Sequence, residues 1–243
     1  TIGDAYLAVG GIGGQVELSS INCVSAALEI QLLMNKLKDF ASSKNEEYWE
    51  VRIGVHTGDV IAGVLGTKRI AYDIFGNTVN IAKRIESNSE PWKVNISEST
   101  YKVVKTFFNC SSRGKISTKN TGDIYMFYVN GIDDAFSSHG TFNSSSWFRD
   151  YKNFSAKSKI DFYGLEKYAI DFLTKKLAKN LLYHGPHHTK DVLEAVEKIA
   201  FNERVTPEGF ILLRAAVLFH DFGYIDKYKE NEKIGANYAR EIL

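Results

Sequence analysis

Asn80 and Arg84 stand four residues apart in Val79-Asn80-Ile81-Ala82-Lys83-Arg84. One helical turn puts both on the same face. The guanidinium is a planar, always charged fork that matches phosphate oxygens, and the amide can hydrogen-bond beside it. Asp73 adds a carboxylate just ahead. Residue types alone leave another reading open: a solvated face with an i,i+4 polar pair.

A second group lies late in the chain. His184, His187, His188 and His220 fall close together, while the other two histidines lie far upstream. Imidazole is a frequent ligand of transition metals. Asp221 follows His220 at a point that reads as a helix end, where two neighbouring side chains converge on one ion more easily. Ordinary surface histidines are the alternative. Asp4, after Gly3, is a third candidate ligand, and a plain turn or surface aspartate is its alternative.

The elements that must position these residues follow from patterning. Phe75-Gly76-Asn77-Thr78 carries turn and cap chemistry, and Val79, Ala82 and Ile85 give an apolar stripe, so Tyr72–Arg84 reads as a tight turn running into a helix, with Asp73 just before it. Ala5 to Val9 reads as a strand ended by a glycine turn. Leu18 to Phe40 reads as a helix, with Ile21, Val24, Ala27, Leu28, Leu32 and Leu37 at helical spacing. Trp49–Val55, Val60–Leu65 and Lys93–Ile96 read as strands. Ser97 is placed to cap a helix from Glu98 to Lys105. A hairpin is expected from Cys110 to Asn130. This order predicts an α+β fold with an antiparallel sheet. Ser137–Gly140 and Asn143–Ser146 read as a polar linker. Helical spacing then recurs over Leu165–Leu182, Thr189–Ala200 and Phe210–His220, and predicts an all-α domain.

Composition bounds the answer. The chain has 243 residues, 44% hydrophobic and 24% charged, as in ordinary globular proteins. Its net charge of +1 gives no global field toward nucleic acid or an acidic membrane. Two distant cysteines make no disulfide framework and favour a reducing, cytoplasmic setting. No run of about 18 apolar residues is seen, so no membrane contact is expected in this stretch; a parent protein attached to a membrane stays open. Thr1 is not an initiating Met and Leu243 falls inside a helical pattern. A longer parent is therefore expected.

Four motifs occur in order: Thr1-Ile2-Gly3-Asp4-Ala5-Tyr6, Arg52–Gly58, Val60–Gly66 and Phe75–Arg84. Together they resemble the class III nucleotidyl cyclase catalytic domain over residues 1–131, a ferredoxin-like antiparallel sheet with helices. The resemblance implies conversion of ATP to 3′,5′-cyclic AMP and pyrophosphate, with two Mg²⁺ or Mn²⁺ ions about 3.5–4 Å apart. Asp4 matches one metal aspartate. The other belongs to an upstream strand, so the stretch in hand is not expected to complete the metal site. Arg84 matches the transition-state arginine and Asn80 the ribose-positioning asparagine. Lys119 looks like the phosphate-binding lysine, although Asn120 and Thr121 depart from the usual glycine and lysine. Lys83 also replaces a small residue. Asp73 matches the position where adenylyl cyclases carry aspartate and guanylyl cyclases usually cysteine. A carboxylate accepts from the adenine amino group and faces the guanine carbonyl unfavourably. Such sites form between two domains, so a homodimer is implied.

The region 161–243 resembles the HD-domain metal-dependent phosphohydrolases, after a polar linker over 132–160. His188, His220 and Asp221 match three ligands of a divalent transition metal. His184 matches an auxiliary histidine that protonates a leaving oxygen in some members. The closing aspartate of that family would lie beyond Leu243. Two other functions stay open. One is a catalytically inactive cyclase-like module for dimerisation or nucleotide sensing. The other makes the HD domain the main enzyme.

Overall fold

A computed structural model describes residues 3–65, 71–118, 122–137, 146–158, 160–178, 180–181 and 183–243 of the chain. Lys119 therefore lies outside the described residues. The chain divides into two units, Thr1–Ser145 and Ser146–Leu243.

The first unit begins with the long helix α1 (Val16–Ser43). Strands β1 (Ile53–Val55), β2 (Ile61–Leu65) and β3 (Ala71–Phe75) lead to helix α2 (Asn77–Ser87). Then come β4 (Val94–Ser97), helix α3 (Glu98–Val104), β5 (Phe108–Thr118) and β6 (Gly122–Ile132). Four strands form one sheet in the order β1-β4-β6-β5, and β2 pairs with β3 in a separate hairpin. The helices form much as their patterns dictate. Ile21, Val24, Ala27 and Leu28 are buried along α1, which packs on α3, β1 and β4. Helix α1 is long and apolar enough by composition to cross a bilayer, but this buried stripe is that of a core helix. Ser97 caps α3, its Oγ accepting from the Thr100 N–H at 3.3 Å.

Three expectations need correction here. The sheet is mixed, because β1 pairs with β4 in parallel. The β2–β3 hairpin and α2 intervene between them, giving the long crossover that a parallel pair requires. The stretch Tyr72–Phe75, expected as turn and helix start, is strand β3, held by its antiparallel partner β2. The N-terminal strand over Ala5–Val9 is reduced to a bridge at Ala5. Tyr6 stays 80% exposed, so this apolar run has no burial to hold it extended.

The second unit is helical: α4 (Ser146–Ser158), α5 (Phe162–Lys176), α6 (Pro186–Asn202), α7 (Pro207–Phe219), a 3₁₀ turn over Phe222–Ile225, and α8 (Asn231–Ile242). Its core gathers Phe162, Leu173, Leu193, Leu218, Phe219 and Phe222. The linker assigned to 132–160 is also corrected. Residues 146–158 form α4, whose Phe148 and Tyr151 are buried. The Trp147 indole N–H donates to the Val205 carbonyl at 2.7 Å, and its ring packs edge-on against Phe201 and Phe210. Polar residues around these aromatics had masked an amphipathic helix. Arg214 is buried beneath it, 2.9 Å from Glu197 Oε1, donating to the Tyr151 hydroxyl at 3.0 Å. Its guanidinium lies 3.4 Å from the Phe162 ring centre.

Helix α2 sits directly on β1. A Cβ built at Gly54 would overlap the backbone of Glu86. Gly54→Ala is therefore expected to push α2 off its seat, lowering the stability of the first unit by about 1–3 kcal/mol. Urea unfolding of the variant checks this.

Candidate functional site

The seat of α2 decides where its polar face points. Ile85 is fully buried beneath it. The buried Asn95 of β4 donates through Nδ2 to the Ile85 carbonyl at 2.8 Å, tying strand to helix in mid-span. Asn80 is exposed and Arg84 half-buried. Among the described residues neither side chain makes a hydrogen bond or ion pair. A rise of about 1.5 Å per residue separates the two by about 6 Å along the axis. An amide and a charged guanidinium thus stand together, unengaged, on a fixed helix.

Asp73 lies in the middle of β3, opposite Gly63, two residues before the Phe75 end that leads through Gly76 into α2. Its Oδ1 accepts from the Ile74 N–H at 2.8 Å, which orients the carboxylate, and the side chain is exposed. Asp4 lies in an exposed turn. It joins no cluster of metal-holding side chains among the described residues. Asp4 alone does not make a two-ion site.

Sequence reasoning gave no role to His56, yet a polar nest is built on it. Its Nδ1 lies 2.8 Å from Ser97 Oγ and 3.2 Å from Ser99 Oγ. Ser99 Oγ donates to the Thr57 carbonyl at 2.8 Å. The Thr57 hydroxyl meets Ser20 of α1 at 3.0 Å and Thr100 of α3 at 3.1 Å. A Cβ at Gly58 would come within 2.8 Å of Thr78 Oγ1 and 3.3 Å of His56 Nε2. The nest therefore reaches the first turn of α2, where the Thr78 hydroxyl donates to the Asp59 carbonyl at 2.6 Å. The one available signal was the histidine in Arg52–Gly58 between two strands.

Burial holds His56 below the usual imidazole range. The folded state thus binds fewer protons than the unfolded one at mildly acidic pH. Stability from this group is fully present above about pH 6.5 and is lost as pH falls toward the folded value. Urea midpoints of the wild type should drop between pH 7.5 and 5.5, and His56→Gln should flatten that drop.

In the second unit, His188 lies in the first turn of α6 and His184 just ahead of that helix. His220 and Asp221 follow the end of α7. Ligand atoms of His184, His188 and Asp221 all lie within 4.8 Å of one another. His184 Nδ1 is 3.2 Å from Asp221 Oδ1. The His188 and His220 ring centres are 5.5 Å apart. His220 Nδ1 lies 2.6 Å from the Val217 carbonyl. A carbonyl only accepts, so Nδ1 carries the proton and Nε2 is left without one in the neutral ring. That Nε2 lies 3.3 Å from Asp221 Oδ1. Two lone pairs face each other there unless a cation lies between them, either a metal ion or the second proton of an imidazolium. His220 Nε2 and Asp221 Oδ2 are buried without hydrogen-bond partners. This donor set fits a divalent transition metal. All four chemistry-bearing residues of the second group are thus brought together. His184, expected as the auxiliary histidine, offers a ligand atom in the same group as His188 and Asp221, and His187 stays exposed.

Residues 1–131 match the family model described as the adenylate and guanylate cyclase catalytic domain, and the chain belongs to that family. Over 130 residues it is 36% identical to the guanylate cyclase soluble subunit beta-2 of Rattus norvegicus, covering 53% of this chain and 19% of that protein. It is 34% identical over 137 residues to the receptor-type guanylate cyclase gcy-28 of Caenorhabditis elegans, covering 55% of this chain and 10% of that protein. The match thus spans about a tenth to a fifth of these relatives' lengths. Among solved structures, it is similar to the guanylate cyclase domain of RhGC from Catenaria anguillulae in complex with GTP. There the identity is 34%, coverage 53% of this chain and 69% of that one, and the TM-score 0.46. It is also similar to the adenylyl cyclase CyaB from P. aeruginosa, 28% identical, covering 47% and 60%, with a TM-score of 0.44.

Proposed function

We propose that the first unit acts as an adenylyl cyclase domain, converting ATP to 3′,5′-cyclic AMP and pyrophosphate. The observation that carries this reading is the pair Asn80 and Arg84, unengaged on one face of a helix whose seat is fixed. In the reaction the ribose 3′-oxygen bonds to the α-phosphorus. The bond from that phosphorus to the bridging oxygen breaks, pyrophosphate leaves, and the hydroxyl proton passes to solvent. Positioning and charge neutralisation are the chief demands. Asn80 holds the ribose, and Arg84 meets the charge gathering on the phosphate oxygens. Two Mg²⁺ or Mn²⁺ ions supply hydroxyl activation and a phosphate clamp when bound. Asp4 would hold them together with the other, upstream aspartate that the resemblance implies. Lys119 would add a phosphate contact.

The named curated relatives are guanylate cyclases, so the preference for ATP rests on Asp73. Its fixed carboxylate accepts from an amino group and opposes a carbonyl. In a homodimer, Asp4 of one copy works with Asn80 and Arg84 of the other. Mixing complete protein carrying Asp4→Ala with protein carrying Arg84→Ala tests both points. Cyclic AMP production should return in the mixture, since one hybrid site is intact. A mixture as inactive as its components would count against shared sites. Equal inactivity of wild type with ATP and GTP would favour the nucleotide-sensing module instead.

The half-buried histidines gathered on the buried Asp221 favour a second activity in the second unit, a metal-dependent phosphohydrolase of the HD type. His184, His188, His220 and Asp221 would hold the metal. Atomic absorption on the complete protein purified without chelators should find bound Mn²⁺, Fe²⁺ or Zn²⁺. His188→Ala and Asp221→Asn should lose it while keeping their helical circular dichroism. Metal-free wild type after reconstitution would sink this reading.

A further inference from the structure

Gly63 lies in the middle of β2, where a glycine needs a reason. It weakens a strand through its backbone entropy and gives no side chain to pack. Three causes keep glycine in such places: a bulge, a tight bend, or the close approach of a ligand or another backbone. The pairing of β2 with β3 runs without a shift from Ile61↔Phe75 to Leu65↔Ala71, so there is no bulge. Gly63 is not among the glycines with positive φ, so no bend demands it. A Cβ built there meets nothing within 4 Å among the described residues, so packing against them does not demand it either. Close approach by something from outside is what remains.

The register identifies what lies beside that opening. Gly63 pairs with Asp73, and Ile61 with Phe75. Directly paired residues share a face, as do residues two apart on one strand. Ile61, Gly63, Asp73 and Phe75 thus occupy one face of the hairpin. Ile61 is 72% exposed and Phe75 39%. Asp73 is exposed too, with Oδ1 tied to the Ile74 N–H. The face is an apolar shelf with a bare floor and an oriented carboxylate at one edge. Charge and shape suit a flat heterocycle bearing an amino group.

We infer that Gly63 is a specificity-determining residue, its missing side chain leaving room for the purine ring of the nucleotide between Ile61, Phe75 and the Asp73 carboxylate. This rests on the reading of Asp73 as the base-contacting residue. A side chain at 63 would project into the space taken by the ring. The triphosphate, engaged by Arg84 on α2, would be untouched.

Calorimetric titration of the complete protein with ATP and, separately, with inorganic triphosphate tests this. Gly63→Val should weaken ATP about tenfold or more, Gly63→Ala less, and neither should change triphosphate binding. The thermal midpoint of Gly63→Val should equal or exceed that of wild type, since valine favours strands; the alanine variant serves if valine does not fold. ATP affinity unchanged in both variants overturns the inference. So does a loss of ATP binding that only follows a change in oligomeric state, which would make the shelf a contact between copies. Asp73→Ala separates the two levels. If it leaves ATP affinity intact while Gly63→Val does not, the shelf stands and the carboxylate reading falls. If Asp73→Ala weakens ATP and Gly63→Val does not, the reverse holds.

Discussion

The contact between the α2 backbone and Gly54 of β1 governs the first unit. With no side chain at 54, the helix backbone at Glu86 sits directly on the strand. Asn95 then fixes the height of the helix by donating to the Ile85 carbonyl. A buried amide bonded this way is costly to misplace, because any slide of α2 breaks its hydrogen bond in a region without water. The Arg52–Glu86 ion pair at 3.1 Å adds little, being exposed on both sides. Backbone packing and one buried bond, not surface charge, aim Asn80 and Arg84. The His56 nest then steadies the turn at which α2 begins.

Much of this was legible in the sequence where the information was local. Helix spacing placed α1, α3, α6 and α7 within a few residues, while α5 ends at Lys176, short of the expected Leu182, and α8 was given no range; Ser97 announced its own cap. Asn80 and Arg84 could be put on one face because a helix fixes that relation within a single turn. What failed was non-local. Strand β3 exists because β2 pairs with it, and the stretch Tyr72–Phe75 carries no mark of that partner. The parallel pairing of β1 with β4 depends on what the intervening chain does. Helix α4 was hidden for a related reason. Trp147 and Tyr151 look like isolated aromatics in a polar stretch until Phe201 and Phe210 arrive from elsewhere in the chain to cover them. Resemblance supplied Asp4 and Lys119: Asp4 joins no cluster of metal-holding side chains among the described residues, and Lys119 lies outside them.

In the second unit the histidines were legible as a group, but their division of labour was not. The Val217 carbonyl sets the tautomer of His220, and that carbonyl is within reach because α7 ends there, where it takes only a long bond from the His220 backbone N–H at 3.5 Å. A helix terminus therefore does two jobs: it lets adjacent residues 220 and 221 turn toward one point, and it supplies the acceptor that bares Nε2. The sequence locates the helix end. It does not say which carbonyl is in reach, and so could not place His184 beside Asp221.

The two sites differ in what an unengaged polar group means. Asn80 and Asp73 are exposed, so water satisfies their free polar atoms at little cost, and the absence of a partner for the Asn80 side chain among the described residues is informative mainly because the helix beneath is so firmly held. His220 Nε2 and Asp221 Oδ2 are buried. A buried polar atom without a partner costs about 1–3 kcal/mol, more when charged. A chain that keeps two such atoms together, with an acceptor facing an acceptor at 3.3 Å, has left a place that only a cation fills well. The same logic, applied to a missing side chain, gives Gly63 its weight. A strand glycine with no bulge, no bend and no neighbour for a Cβ among the described residues is a small stability loss that none of them repays. The compensation must come from what docks there.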